Sequence, residues 1–282
     1  MSMNLADAVE RIRPCVLQIV FSARDLSEEL RNKIGSPFIS AHIGTGFLLN
    51  KDGYAITAYH VITSGQQLIQ DDKNYKAGKK RIQIGLAQPL TENFRANFNL
   101  VDFDVVDTDP RHDLALLKIR QNPFIGQVRS GIVINGQELP MVFGTATINP
   151  QRPKDGEAIA LSGYPLKNAV LITNAGWLAT SWAYDIVEQQ VPGAPPDFTM
   201  PDRGDIYLAD ITVNHGNSGG PVYLVSNANV IGMAVAFQRA PVEGQQNNEV
   251  TKDGKQLSYS SGLTVVVPAR YIAELLKKNG VK

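Results

Sequence analysis

The chain has 282 residues, of which 43% are hydrophobic and 19% charged, an ordinary composition for a globular protein. Lys plus Arg and Asp plus Glu both number 27, so the formal net charge is zero. This balance removes the usual electrostatic case for a nucleic acid or an anionic membrane surface as a partner. The length is sufficient for one large domain or two small ones.

The cysteine content and the first residues of the chain bear on its compartment. Cys15 is the only cysteine, so no internal disulfide can form, and its apolar neighbours predict a buried structural thiol. Residues 1–10 lack the basic and apolar regions of a signal peptide, and no apolar stretch reaches the length of a membrane span. These features predict a cytoplasmic protein, although a trimmed form of an exported protein would look the same.

The first part of the chain predicts a short helix followed by strands. Apolar periodicity predicts an amphipathic helix over Asn4–Arg13 and a first strand over Cys15–Ala23. Residues 25–40 are polar with a helix-like start and predict a loop insertion between the first strands. Apolar stretches between turn residues then predict strands at 44–49, 54–58, 81–87, 100–106 and 114–119. A short helical turn is predicted over residues 63–70.

The second part predicts another series of strands after residues 121–154, which are rich in Gly, Pro and Asn and indicate a crossing between halves. These strands are predicted at 157–162, 170–182, 206–213, 221–225, 230–237 and 262–267. Surface loops are predicted over 187–205 and 239–258, and Pro268 fits the first turn of a final helix. Many short strands separated by turn residues are typical of β-sandwiches and β-barrels.

The segment Gly216-Asn-Ser-Gly-Gly-Pro221 places one hydroxyl nucleophile, Ser218, in a backbone of small residues. A serine that attacks a carbonyl needs open space around its Oγ and N–H groups aimed at the oxygen that becomes negative. Gly216 lies two residues before Ser218, so the N–H groups of both can converge on one point, with Asn217 between them. Read alone, such a cluster is more often a surface turn, so its context decides.

Two other segments supply that context. His60 directly follows a predicted strand–turn–strand, and Asp113 lies at the mouth of the apolar strand predicted at 114–119. The order His60, Asp113, Ser218 along the chain is that of the chymotrypsin-like solution to Ser-His-Asp catalysis, not that of subtilisin or the α/β-hydrolases. The remaining histidines, His42, His112 and His215, are assigned no role.

Three blocks of the chain resemble the trypsin-like peptidases, and most closely their HtrA (Deg) branch. They are Thr57-Ala-Tyr-His-Val61, Asp113-Leu-Ala-Leu-Leu117 and Gly216-Asn-Ser-Gly-Gly-Pro221. Weaker likenesses extend the resemblance over nearly the whole chain, from residue 12 to residue 278. Because the three blocks occur in the family's order, together they are far more specific than any one of them.

The resemblance implies an all-β fold of two antiparallel six-stranded β-barrels of the chymotrypsin type, with a C-terminal helix. The N-terminal helix and the first barrel would occupy residues 1–130. The linker, the second barrel and the C-terminal helix would occupy residues 131–282, and the two parts would form one peptidase unit. Most HtrA relatives carry an added PDZ domain, for which no segment follows in this sequence.

The resemblance also implies a division of labour among the site residues. Ser218 would attack the scissile carbonyl, His60 would take its proton and return it to the leaving amine, and Asp113 would orient the imidazole. The oxyanion hole is assigned to Gly216, Asn217 and Ser218, with the N–H groups of the two outer residues as donors.

The specificity pocket is predicted from the same resemblance. Its floor would lie near Thr212, six residues before the nucleophile, with Ala234 and Ala236 on one wall and Leu263 on the far wall. No acidic residue stands at these positions to favour Lys or Arg, which predicts a small or medium apolar P1 residue. The alternation at 231–237 is equally well explained as the packing of a core strand.

Three functions stay open from the sequence: a serine endopeptidase, a catalytically resting scaffold that binds peptides along a strand edge, and an esterase or other acyl hydrolase with the same machinery. The predicted partner is a polypeptide substrate, without nucleic acid or membrane. The few histidines and single cysteine do not cluster at ligand spacing, so no metal or cofactor is predicted. Monomer and trimer both stay open.

Overall fold

The computed structural model describes residues 3–71, 77–87, 98–124, 129–134, 137–140, 143–167, 170–184, 205–242, 251–252, 255–256 and 258–282. The loop predicted over 187–205 lies outside these residues except for Asp205. So do the centre of the loop predicted over 239–258 and parts of the crossing predicted over 121–154.

The helices are Leu5–Ile12 (α1), Glu28–Ile34 (α2), Tyr59–Gln70 (α3) and Ala269–Lys278 (α4), with 3-10 turns at Arg13–Cys15 and Pro165–Lys167. The predicted first helix is confirmed: the Asn4 side chain caps it by accepting a hydrogen bond from the Asp7 N–H at 2.9 Å. The insertion predicted over 25–40 does contain a helix near its start, α2, but its two ends belong to strands and not to a loop. Within the described ranges, no helix has the length and apolar content needed to cross a membrane.

The first sheet consists of Val16–Leu26 (β1), Phe38–Leu48 (β2), Tyr54–Ala58 (β3), Ala77–Ala87 (β4), Phe98–Val101 (β5), Phe103–Asp109 (β6) and Leu114–Ile119 (β7). Its strands are antiparallel and lie in the order β5-β4-β1-β2-β3-β7-β6. The two edge strands, β5 and β6, are consecutive in the chain and separated only by Asp102. The sheet therefore curls round until its edges meet at this residue.

The first predicted barrel is a curled half-barrel of seven strands instead of six, because the strand predicted over 100–106 is interrupted at Asp102. Its carboxylate accepts hydrogen bonds from Arg81 and Gln83, both at 2.9 Å, and its carbonyl accepts one from the Arg120 N–H at 3.0 Å. On either side of this residue the chain pairs with different neighbours, because β5 pairs with β4 and β6 pairs with β7.

The second half begins with a hairpin in the predicted crossing, Arg129–Ile134 (β8) and Gln137–Pro140 (β9). It continues with Ala158–Gly163 (β10), Ile172–Tyr184 (β11), Asp205–Asp210 (β12), Pro221–Leu224 (β13), Val230–Pro241 (β14), Thr251–Lys252 (β15), Lys255–Gln256 (β16) and Ser258–Pro268 (β17). Six of these form a closed barrel in the order β10-β11-β12-β17-β14-β13, which confirms the second predicted barrel. Among the described residues, the strands β15 and β16 pair with each other and with no other strand.

One hydrophobic core joins the two halves. Phe47 and Leu116 of the first sheet belong to the same buried cluster as Tyr223 and Met233 of the closed barrel, and all four side chains are 0% exposed. Cys15 is also in this cluster, and its burial raises the pKa of the thiol to about 12, as expected of a structural cysteine. Loops at the junction are therefore held by packing from both sides.

The final helix, α4, is attached to both halves. The Tyr271 hydroxyl donates to Asp205 on β12 at 2.7 Å, while Lys278 and Asn279 contact Asp107 on β6 at 2.7 and 2.9 Å. Hydrogen bonds from Lys278 and Asn279 lower the pKa of the Asp107 carboxyl to about 2. The predicted C-terminal helix is thus confirmed, and it links β6 to β12.

Candidate active site

His60 and Asp113 form a closely bonded pair at the junction of the two halves. His60 Nδ1 lies 2.7 Å from Asp113 Oδ2, and the His60 backbone N–H donates to Asp113 Oδ1 at 2.8 Å. The carboxylate is buried, with 7% of the side chain exposed, whereas 43% of the imidazole is exposed. The pair therefore has a buried anchor and an accessible ring.

Local structure explains this orientation. His60 lies in the first turn of α3, where backbone N–H groups have no partner within the helix, and the Asp113 carboxylate accepts one of them. Asp113 itself has a φ of +56°, a conformation that is unusual for a residue with a side chain. The Tyr59 N–H donates to its carbonyl at 2.9 Å, which ties the helix start to the strand mouth through backbone as well as side chain.

Ser218 lies in a turn between β12 and β13. Its carbonyl accepts a hydrogen bond from the Thr45 N–H at 2.9 Å, so the first sheet holds the backbone of this turn. Its Oγ lies 3.5 Å from the Val235 carbonyl, the one hydrogen bond it makes among the described residues. Ser218 and His60 line the same cleft, but the hydroxyl is turned toward Val235 rather than bonded to the imidazole.

The backbone before Ser218 presents N–H groups without acceptors in the described part of the chain. The Leu166 N–H donates to the His215 carbonyl at 2.7 Å. Since the C=O and N–H of a trans peptide point in opposite directions, this bond aims the Gly216 N–H away from Leu166. Neither this N–H nor that of Ser218 donates to a described residue, whereas the Asn217 N–H donates to Asn214 at 3.1 Å. Gly216 and Ser218 are thus the two available donors, and Asn217 is not a third.

The cleft has a volume of about 290 Å³ and lies between the turn and β14. It is lined by His60, Val213, Asn214, His215, Ser218, Ala234, Val235, Ala236 and Phe237. The described lining contains no carboxylate and no Lys or Arg. Within the described ranges, no three His, Cys, Asp or Glu side chains gather closely enough to hold a metal ion.

Two of the four residues predicted for the specificity pocket line this cleft, and two do not. Ala234 and Ala236 contribute to it as predicted. Thr212 is exposed, because the chain alternates here between the buried Ile211 and Val213, and its carbonyl accepts from Asn174 at 2.7 Å. Leu263 pairs with Asp210 in the β12–β17 ladder, away from the lining. Val213, and not Thr212, is therefore the residue of this stretch that lines the cleft.

His42 is a residue of the site that sequence reasoning left without a role. An ideal Cβ on Gly216 would lie 3.4 Å from His42 Cε1, and the imidazole meets the Tyr164 ring edge-on at 5.6 Å between centroids. Neither ring nitrogen has a hydrogen-bond partner among the described residues. Burial lowers the pKa of His42 to about 4, and the nearby Gly44 backbone opposes this without reaching hydrogen-bond geometry.

The buried ring nitrogens of this histidine make stability depend on pH. Its pKa in the folded protein lies below its ordinary value of 6.5, so its contribution is complete above pH 6.5 and is lost as the pH falls toward 4. We expect the free energy of unfolding to fall by up to about 3 kcal/mol more in the native chain than in His42→Phe over this range. Urea unfolding at a series of pH values measures the difference, and parallel curves for the two proteins would contradict it.

The comparisons with known proteins identify the family of this chain. A family model described as a trypsin-like peptidase domain matches residues 44–233. "Serine protease HTR4" from Bos taurus is 27% identical over 218 residues, which are 77% of this chain and 34% of that protein. A "probable periplasmic serine endoprotease DegP-like" from Pseudomonas putida (strain W619) is 25% identical over 250 residues, 83% of this chain and 40% of that protein.

The chain thus spans between a third and two fifths of the length of these curated relatives. The predicted cytoplasmic location is not supported, because the names of the DegP-like relatives place those proteins in the periplasm.

The solved structures show the same fold. "HtrA-type protease AlgW with decapeptide" superposes with a TM-score of 0.56 at 18% identity, and the match covers 97% of this chain and 66% of that one. The chymotrypsin-like arrangement of two β units with a C-terminal helix is therefore confirmed. Since the family model extends over more than half of the chain and spans His60, Asp113 and Ser218, the chain belongs to the trypsin-like peptidase family, and the relatives to which it is similar are HtrA and DegP-like proteases.

Proposed function

We propose that this chain is a serine endopeptidase in which Ser218, His60 and Asp113 act as a catalytic triad. The observation that carries the proposal is the bonded His60–Asp113 pair, whose exposed imidazole opens into the same cleft as the Ser218 hydroxyl. A buried carboxylate, an accessible imidazole and a hydroxyl in one cleft are the groups that acyl transfer by a serine requires. His60 and Asp113 belong to the unit that we propose over residues 1–130, and Ser218 belongs to the unit proposed over residues 131–282.

The reaction would begin when Ser218 turns about its Cα–Cβ bond from the Val235 carbonyl toward His60 Nε2. His60 then takes the hydroxyl proton as Oγ attacks the scissile carbonyl, and returns it to the leaving amine as the acyl-enzyme forms. Water repeats the sequence to release the acyl group. Asp113 holds Nδ1 in its protonated tautomer and stabilises the imidazolium that forms in each half of the reaction.

The oxyanion would be bound by the N–H groups of Gly216 and Ser218. Their lack of acceptors among the described residues, together with the Leu166 bond to the His215 carbonyl, supports this assignment. Donors fixed before the reaction stabilise the developing charge without reorganisation, and removal of one typically costs on the order of 10²–10³ in kcat.

The substrate would be a polypeptide with a small or medium apolar P1 residue. The walls formed by Val213, Ala234 and Ala236 are apolar, and Phe237 stands with its ring 5.9 Å from that of His215. A long cationic P1 side chain would find no carboxylate in the described lining. Cleavage of a peptide library, with product ends sequenced, measures this preference directly.

The test of the proposed function is covalent labelling by a fluorophosphonate probe, with cleavage of an unfolded protein followed in parallel. Native protein is expected to be labelled and to cleave, and Ser218→Ala to do neither. Matched amide and ester substrates separate an endopeptidase from an esterase.

One observation favours the resting scaffold as a second candidate: among the described residues, the Ser218 hydroxyl is hydrogen-bonded to the Val235 carbonyl and not to His60. A scaffold would bind peptide equally well before and after Ser218→Ala and would never be labelled. Absence of labelling in well-folded native protein would therefore contradict the enzyme assignment and favour the resting scaffold.

A further inference from the structure

Thr45 lies in β2 of the first sheet, yet its polar atoms contact the loops that carry the site. Its side chain is 0% exposed. The hydroxyl donates to the Gly216 carbonyl at 2.6 Å and accepts from the Tyr164 N–H at 3.1 Å, and the Thr45 N–H donates to the Ser218 carbonyl at 2.9 Å. Its own carbonyl accepts from the Thr57 hydroxyl at 2.6 Å. These four hydrogen bonds fix the orientation of Thr45.

The hydroxyl joins two loops that otherwise meet through a backbone bond. Leu166 belongs to the loop after β10, and its N–H donates to the His215 carbonyl at 2.7 Å. Thr45 Oγ1 adds a second connection between the same loops, from Tyr164 to Gly216. The carbonyls on both sides of the Gly216 N–H are therefore held, one by Leu166 and one by Thr45.

Gly216 needs such external support. Its φ is +102°, a conformation open to glycine, and without a side chain the residue has little intrinsic preference among peptide orientations. An added Cβ would crowd the Tyr164 carbonyl and lie 3.2 Å from Pro165 Cα, so no larger residue can supply rigidity at this position. The orientation of the Gly216 peptide is thus set by hydrogen bonds from its neighbours.

We propose that the Thr45 hydroxyl positions the oxyanion hole by holding the Gly216 carbonyl from the first sheet, which fixes the chain on the side of Gly216 opposite to its N–H. The inference rests on the proposed function of Gly216 and Ser218 as donors to the oxyanion. Thr45 does not touch substrate in this proposal: it acts through Gly216 and is a positioning residue. Its effect should fall on kcat rather than KM, because the hole binds the transition state more tightly than the substrate.

The test compares Thr45→Val with Thr45→Ser. Valine keeps the shape, the methyl group and the backbone N–H bond to Ser218, but removes the hydroxyl; serine keeps the hydroxyl and removes the methyl group. Thr45→Val is expected to lower kcat about 10²-fold with KM nearly unchanged, the size of loss that a misplaced catalytic group produces. Affinity for a peptide aldehyde, whose hemiacetal oxygen occupies the hole, should fall by a similar factor. Thr45→Ser should stay within a few-fold of the native chain.

A readout without catalysis separates this inference from the proposed function. In ¹⁵N-labelled Ser218→Ala protein, added Thr45→Val is expected to shift the Gly216 amide resonance and to speed hydrogen exchange at the Tyr164 N–H. Unchanged Gly216 and Tyr164 amides would overturn the positioning role even if the native chain proves inactive. Equal losses of kcat in Thr45→Val and Thr45→Ser would overturn it in an active enzyme. If the valine variant does not fold, Thr45→Ala against Thr45→Ser makes the same comparison.

Discussion

Asp113→Asn is expected to lower kcat about 10⁴-fold while the fold stays intact. The asparagine Oδ1 can still accept the His60 backbone N–H, which the aspartate now holds at 2.8 Å, so the start of α3 keeps its partner. The amide NH₂ would face Nδ1, which the Asp113 carboxylate now contacts at 2.7 Å. Because two donors cannot share one hydrogen bond, the imidazole takes the other tautomer and Nε2 can no longer accept the serine proton.

Asp109→Asn is the matched control for this experiment. Asp109 forms a chemically similar pair with His112, whose Nδ1 lies 2.5 Å from its carboxylate, only four residues from Asp113. This second pair is turned away from the cleft: the His112 ring stacks on Tyr271 of α4 at 3.6 Å between centroids. Asp109→Asn should therefore keep kcat within a few-fold. Equal losses in the two variants, measured with thermal unfolding of each, would contradict the assignment of Asp113.

The contrast between these two pairs shows what the sequence could predict. His60 and Asp113 were predicted because each stands beside a local pattern of strand and turn that the chain order then links to Ser218. Neither His112 nor His42 lies within the three blocks that carried this prediction. Their environments depend on α4 and on Gly216, which lie more than 150 residues away in the chain, and a single sequence does not reveal contacts of that separation.

Thr45 was missed for the same reason, although it lies inside a strand that was predicted. Thr45 belongs to the strand predicted at 44–49. Nothing in the neighbouring sequence distinguishes a strand threonine whose hydroxyl faces solvent from one whose hydroxyl donates to Gly216, 171 positions later. Signals at single-residue precision failed too: Thr212 and Val213 differ by one position in an alternating stretch, so counting back from Ser218 selected the exposed neighbour.

The strands were predictable where turn residues separate apolar stretches. They were less predictable where a strand is extended or interrupted by contacts with distant segments. The strands of the closed barrel were all anticipated, with errors mainly at their ends. The first sheet was expected to close as a barrel, but the interruption at Asp102 depends on contacts with Arg81, Gln83 and Arg120 from two other segments. The sequence shows an acidic strand there and gives no sign of those partners.

Gly219→Ala is expected to lower the free energy of unfolding by more than about 4 kcal/mol, a loss reserved for changes that crowd a core or strain a backbone. Gly219 has a φ of +88°, and an added Cβ would overlap the Thr45 carbonyl and lie 2.5 Å from Thr57 Oγ1 and 3.0 Å from the Ala58 N. Backbone atoms cannot rotate away as a side-chain tip can. The turn after the nucleophile would have to separate from the first sheet.

Gly262→Ala provides the control, because it separates the two causes of destabilisation. Gly262 also has a φ of +88°, but an added Cβ there would meet no atom within 4 Å. The substitution should therefore lower the free energy of unfolding only by the cost of placing alanine in a left-handed backbone conformation, about 1–2 kcal/mol. Urea unfolding of both variants measures the difference, which reports the closeness of the halves at Gly219. If the two variants lose equal stability, the backbone of the Ser218 turn does not approach the first sheet as closely as these contacts require. That result would also contradict the proposal that Thr45 positions the oxyanion hole from the first sheet.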